Sequence, residues 1–197
     1  MKTRLYMALL IIAAILQGCG RSPQTTFYTL TPATTQITAA TPGKAPSVSI
    51  ADVTLPALID RPQLVLADTG TKVQLLEAHR WAEPLKNAIP RILADNLSRM
   101  TGWDRISFHP QYASGRADYR IFVDLQQFEA VRGTVALDAL WTIKPSEEGG
   151  TAITRRTRKV VKIAGEGYEA MVAAYSQALS SLAEEMATAL ALISKKP

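Results

Sequence analysis

The sequence predicts an α+β fold, an antiparallel sheet with two amphipathic helices packed on one face. Three observations predict it. Apolar and polar residues alternate through the middle of the chain, from Tyr119 to Ile163, as half-buried strands do. Apolar residues recur at three- and four-residue steps in two other segments, Trp81 to Met100 and Tyr168 to Ile193. Tight-turn residues separate the strand-like runs, which favours antiparallel neighbours. Two helices on one face of such a sheet bury all the apolar surface in a two-layer domain. The sequence contains no internal repeat and no sign of a second folded domain.

The chain opens with Lys2 and Arg4, then runs apolar from Leu5 through Leu16. A basic start and a short apolar run describe a secretory signal, and the run is well short of the roughly 20 residues a membrane-spanning helix needs. Leu16-Gln17-Gly18-Cys19 resembles the bacterial lipobox, with Leu at −3, a small residue at −1 and the chain's single cysteine at +1. Gln at −2 is less usual than Ala, Ser or Thr. A thiol is nucleophilic enough to take a diacylglyceryl group, and acylation of the freed amine adds a further chain. One acyl chain at ~0.8 kcal/mol per buried methylene holds a protein only marginally, so several chains make the stable anchor. The competing reading is a core cysteine that happens to follow an apolar run. An internal disulfide is excluded, because Cys19 has no partner. Gly20, rather than Asp, favours passage to the outer membrane, facing the periplasm. The expected organisation is a lipoprotein signal peptide over 1–18, a tether over 19–46 and a periplasmic α+β domain over 47–197. Loss of Lys2 and Arg4 with the signal lowers the formal charge of +5 by two. That is too mild to argue for nucleic acid.

The tether is rich in Thr, Pro, Ala and Gln. Phe27-Tyr28-Thr29-Leu30 interrupts it with a β-prone island, a candidate first strand. Val48 to Leu55 is the next strand. Gln63 to Ala67 and Lys72 to Glu77 flank "DTGT", a hairpin turn. A helix follows, with Trp81, Leu85, Ile89, Ile92, Leu93, Leu97 and Met100 on one face, Pro84 in its first turn and Gly102 at its exit. Pro90 within it removes a hydrogen bond and should bend the rod. Arg105 to His109 is a short strand at an edge. Three strands of an antiparallel meander then turn at Arg132-Gly133 and at Glu147 to Gly150. Gly165-Glu166-Gly167 ends the sheet and opens the second, Ala-rich helix.

Chemistry is sparse. His79 and His109 are the only histidines, so no ordinary metal site is expected. There is no G-x-S-x-G elbow and no phosphate-binding lysine loop. Neither an enzyme activity nor a cofactor is expected. Arg155-Arg156-Thr157-Arg158-Lys159 is the densest charge in the chain. On a strand it sends cations to both faces, which suits anionic headgroups or a partner protein, or an edge strand blunted against association. "LPALIDRPQLVL" from Leu55 crowds two prolines and the Asp60-Arg61 pair between apolar residues. "EAHRWAEPL" from Glu77 sets His79, Arg80 and Trp81 at a strand-to-helix junction. Both segments read as structural or interfacial.

The lipobox, "FYTL", "LPALIDRPQLV" and "HRWAEPL", in that order, resemble the PqiC/YmbA group, the ABC-type transport auxiliary lipoproteins of Gram-negative envelopes. The similarity covers nearly the whole chain after the signal. It implies an outer-membrane lipoprotein without catalysis, working with an inner-membrane subunit and an MCE-domain protein in lipid movement and resistance to membrane stress. Cys19 then matches the acylated site. Leu55, Pro56, Asp60, Arg61, Pro62, Gln63, Arg80, Trp81 and Pro84 match signature positions with a fold or interface role. A symmetric partner leaves room for a ring or other homo-oligomer. Alternatives are a carrier holding a lipid chain between sheet and helices, and a structural lipoprotein of another envelope complex.

Overall fold

The computed structural model describes residues 24–34, 45–68, 71–108, 117–147 and 149–194. Its strands are β1 (Thr26–Tyr28), β2 (Val48–Thr54), β3 (Gln63–Ala67), β4 (Val73–Trp81), β5 (Ile106–Ser107), β6 (Tyr119–Val131), β7 (Thr134–Pro145) and β8 (Ile153–Lys162). Helix α1 spans Leu85–Thr101 and α2 spans Gly167–Ile193. All eight strands join one sheet.

The sheet is built around β6, which has β7 along one side and β8 beyond it. The other side of β6 forks. Its first half pairs with β2, from Tyr119 to Asp124, and β5 lies outside β2. Its far end, at Ala130 and Val131, pairs with β3, which carries β4 and then β1.

The α+β class is as the sequence predicts, but the sheet is mixed rather than mainly antiparallel. The β1–β4, β2–β5, β2–β6 and β3–β6 ladders are parallel; only β3–β4, β6–β7 and β7–β8 are antiparallel. The reason is local. Tight turns announce antiparallel neighbours in the sequence, and all three antiparallel ladders join consecutive strands. The parallel ladders join segments far apart in the chain, and no turn residue marks them.

The turn geometry follows the residues. Arg132 and Gly133 both have positive φ, 46° and 75°, as a two-residue hairpin between right-twisted strands requires. Alternation on β6 buries Ile121, Val123 and Leu125, then changes phase to Phe128 and Ala130. A bulge between Leu125 and Gln127 makes that change, so one strand keeps its apolar side inward across 13 residues.

Both helices pack on the buried face, α2 against β6 to β8 and α1 against β2 and β5, and they pack on each other. Trp141, Phe128, Leu125, Leu179 and Met186 are buried between the layers, within a single apolar cluster. Helix α1 exits at Gly102 with φ 70°, where the left-handed turn favours glycine. It begins at Leu85, and Trp81 is the last residue of β4 rather than part of the helical face. Pro90 lies inside α1. Its ring is on the wall of an open cleft of about 560 Å³ between α1 and β2, where the carbonyl deprived of its amide can meet water.

The β-prone island forms β1, parallel to β4. The chain beyond it stays on the body. Leu30 is buried, the Thr31 amide donates to Ser176 Oγ on α2 at 3.1 Å, and the Ala33 amide donates to Asn96 Oδ1 on α1 at 2.7 Å. This stretch, which composition reads as mostly tether, thus crosses the seam between the two helices. His109 lies outside the described residues.

Candidate functional site

The loop from Leu55 to Pro62 fills the fork in the sheet, running from the end of β2 to the start of β3. Its path is set by backbone bonds. The Ile59 and Asp60 amides donate to the Pro56 carbonyl at 3.0 and 3.2 Å, and the Arg61 amide donates to the Ile59 carbonyl at 2.8 Å. These bonds fold a tight turn that drives Ile59 into the core. Two prolines remove backbone donors that the loop would otherwise have to satisfy.

The two sequence motifs meet here. The Trp81 amide donates to the Pro62 carbonyl at 2.7 Å, and Gln63 pairs with Arg80 in the β3–β4 ladder. Gln63 Nε2 donates to Glu77 Oε2 at 3.1 Å, and Arg80 Nε donates to the Glu77 carbonyl at 3.0 Å. Pro84 stands just before α1, where its carbonyl accepts the Asn87 and Ala88 amides. Lys86 Nζ lies 2.8 Å from Asp60 Oδ2, and the hydrogen bond to Asp60 raises its pKa. One salt bridge thus ties the loop to the first turn of α1. Arg61 Nε is buried without a hydrogen-bond partner among the described residues.

Trp81 anchors this corner to the core. Its ring meets Tyr175 edge-on at 5.5 Å, and Tyr175 meets Phe128 edge-on at 4.8 Å. Burial pushes the Tyr175 hydroxyl far above its ordinary range. Beside the corner, Tyr28 Oη and His79 Nδ1 are hydrogen-bonded at 2.9 Å, and Tyr168 stacks on His79 at 3.8 Å.

Leu55, Pro56, Asp60, Arg61, Pro62, Gln63, Arg80, Trp81 and Pro84 therefore sit in one corner of the molecule. Sequence reasoning missed Lys86, Glu77 and Ile59 as the residues that hold it. Lys86 carried a faint signal, a cation in the opening turn of a helix, where a carboxylate is the usual choice.

The basic run lies elsewhere, on edge strand β8. Asp138 on β7 receives Arg156 and Arg158 at 2.7 and 3.1 Å, and Glu185 on α2 receives Lys159 at 2.9 Å. The hydrogen bond from Arg156 holds the Asp138 carboxyl below its usual range, with Arg158 adding to it against partial burial. Thr157 points inward, accepting the Trp141 indole at 2.9 Å and donating to Glu185. Burial raises the Glu185 pKa, yet bonds from Thr157 and Lys159 bring it net below the usual value. Arg155 is exposed. Cys19 and the lipobox lie outside the described residues.

Comparison with known proteins bears on this arrangement. The model of a family described as the ABC-type transport auxiliary lipoprotein component matches residues 28–187. A crystal structure of an uncharacterized protein aligns with TM-score 0.67 at 18% identity, over 85% of this chain and 99% of that one. A protein from Xanthomonas campestris aligns with TM-score 0.61 at 18% identity, over 83% of this chain and 93% of its own. At this identity the two structures share the fold alone. A PelC dodecamer with a leucine-to-methionine substitution, from Paraburkholderia phytofirmans, reaches TM-score 0.40 at 10% identity, over 75% and 92% of the two chains, too remote to carry an argument. No curated protein matches the chain.

Proposed function

The chain belongs to the family of ABC-type transport auxiliary lipoproteins, and on that premise we propose that it is a non-enzymatic accessory subunit of an MCE-type intermembrane lipid-transport system. In this reading it is anchored in the outer membrane and faces the periplasm. The family match over residues 28–187 carries the reading, since it spans both motif segments.

The anchor is assigned to Cys19. Among the described residues no helix is long and apolar enough to cross a membrane, and the lipobox supplies an acylation site ahead of the folded body. A docking role is supported over a carrier role by the packing between the layers. Trp141, Leu125, Phe128, Leu179 and Met186 are each at most 1% exposed there, so α2 and the strands β6 and β7 fill the space between them, while the cleft between α1 and β2 is open and carries Asp52, Lys86 and Asn87 among its lining. The partners assigned are an MCE-domain protein whose assembly reaches across the periplasm, and the inner-membrane subunit of the same system. The corner at Asp60, Arg61, Gln63 and Arg80 supports a rigid contact surface, because its backbone is fixed by hydrogen bonds on both sides.

The test is cross-linking in intact envelopes, followed by isolation of the full-length chain. The MCE-domain protein should co-isolate, and a Cys19→Ala chain exported through an ordinary signal should lose both the cross-link and detergent resistance. Persistence of both in the Cys19→Ala chain would overturn the anchored-subunit reading.

A further inference from the structure

We infer that the outer edge of β8 is a docking site for an extended, acidic segment of a partner protein, which adds to the sheet as a further strand. Among the described residues, strand β8 pairs only with β7, in unbroken register from Thr134–Lys162 to Ile143–Ile153. The Ile163 amide donates to the Gly133 carbonyl across this hairpin. Antiparallel alternation then turns the amides and carbonyls of Thr154, Arg156, Arg158, Val160 and Lys162 away from β7. Among the described residues, that leaves a row of unmade backbone hydrogen bonds along a strand of 10 residues.

Such an edge is an invitation to association, and proteins commonly block it with proline, a bulge or a covering segment. Here the strand has no proline and its ladder no register shift. Among the described residues, charge is the one device present. Arg155, Arg156, Arg158, Lys159 and Lys162 are all cationic, and the carboxylates that contact them among the described residues are Asp138 and Glu185. Two copies of β8 would oppose like charges, which disfavours self-pairing. An acidic strand meets the same row with complementary charge, and it can fill the backbone bonds as well.

The distribution of the cations favours a strand over a membrane surface. Arg156 and Arg158 are drawn onto Asp138 on the open face of the sheet, while Lys159 is drawn onto Glu185 on the helix side. The cations are thus divided between two faces and present no single plane to headgroups. What runs continuously between them is the free backbone edge, with Val160, 71% exposed, beside it. This edge is remote in the sheet from the motif corner, and its ligand chemistry does not depend on which transport system the chain serves.

The test uses the full-length lipidated chain in detergent and a labelled peptide of about nine residues alternating glutamate and valine. The control is the same peptide with lysine for glutamate. The acidic peptide should bind at least about tenfold more tightly, the sum of several opposite-charge cross-strand pairs, and it should slow hydrogen exchange at Thr154, Arg156, Arg158 and Val160. Val160→Pro removes an outward amide while sparing the β7 ladder, and should abolish binding with the far-ultraviolet spectrum unchanged. Lys162→Glu, whose side chain makes no ion pair or hydrogen bond among the described residues, should weaken binding without removing a backbone donor. Equal affinity for the two peptides would overturn the proposal. So would acidic-peptide binding that leaves exchange along β8 unchanged, because charge attraction alone, of the kind that serves anionic vesicles, would then suffice.

Discussion

The motif corner and the basic edge strand both stand out in the sequence, yet different forces hold them. In the corner, backbone groups do the binding: Pro56 and Pro62 present carbonyls, and the Ile59, Asp60 and Trp81 amides take them. On β8, side-chain charges pair across strands and onto α2, at positions partly open to solvent. The difference teaches where substitution will be felt. Backbone paths fixed around a buried anchor are part of the fold, whereas exposed ion pairs contribute little to stability and remain free to serve recognition.

The sharpest way to break this contrast is at the anchor. Trp81→Ala should cost about 3–5 kcal/mol in urea unfolding, since it empties a buried site packed edge-on against Tyr175. A loss under about 1 kcal/mol would mean that the corner is not built on Trp81. The next effect falls on β8, at its one buried polar joint. Thr157→Val should cost about 1–3 kcal/mol, because the Trp141 indole loses its acceptor inside the core. If stability is unchanged, the edge strand is held by its backbone ladder alone.

A smaller effect concerns acid. The Asp138 carboxyl is held below its ordinary value, so its contribution is present above the unfolded-state carboxylate pKa and disappears as pH falls through the folded one. Stability should therefore decline in the acid range, and Asp138→Asn should flatten part of that decline in thermal melts taken across pH. An identical acid limb in the variant would show that the Arg156 and Arg158 pairs do not couple to folding. The smallest effect is expected at Arg155, which is exposed. Arg155→Gln should change stability by no more than ~0.5 kcal/mol, while it weakens acidic-peptide binding.

What the sequence revealed, and what it hid, follows the same division between local and distant signals. Residue chemistry that acts within a few positions was legible: the Arg132-Gly133 turn, the αL exit at Gly102, the Gln63–Ala67 hairpin strand and the apolar stripe of α2. The parallel ladders were not, because β1 finds β4 and β2 finds β6 across long stretches of chain that carry no turn signature. Trp81 illustrates the ambiguity at a boundary. Its spacing to Leu85 fits a helix, but pairing with β1 and the bond to Pro62 draw it into β4. In the corner, the two segments stand out by their composition, while the set of signature positions within them is what the family resemblance implies. Lys86 offers only the faint signal of a cation in a helix's opening turn, and its role shows only with Asp60 beside it. The basic run was legible as charge, but its pairing with Asp138 and Glu185 depends on cross-strand register and helix packing, which no spacing rule provides.

The proposed function depends most on attachment through Cys19 to the outer membrane. The direct measurement is to separate inner and outer membranes on a density gradient and take the intact mass of the chain recovered from each. On that proposal the chain should begin at Cys19, carry a diacylglyceryl group and an amide-linked acyl chain, and be concentrated in the outer-membrane fractions. A chain that retains residues 1–18, carries a free thiol at Cys19 or collects with the inner membrane would contradict it.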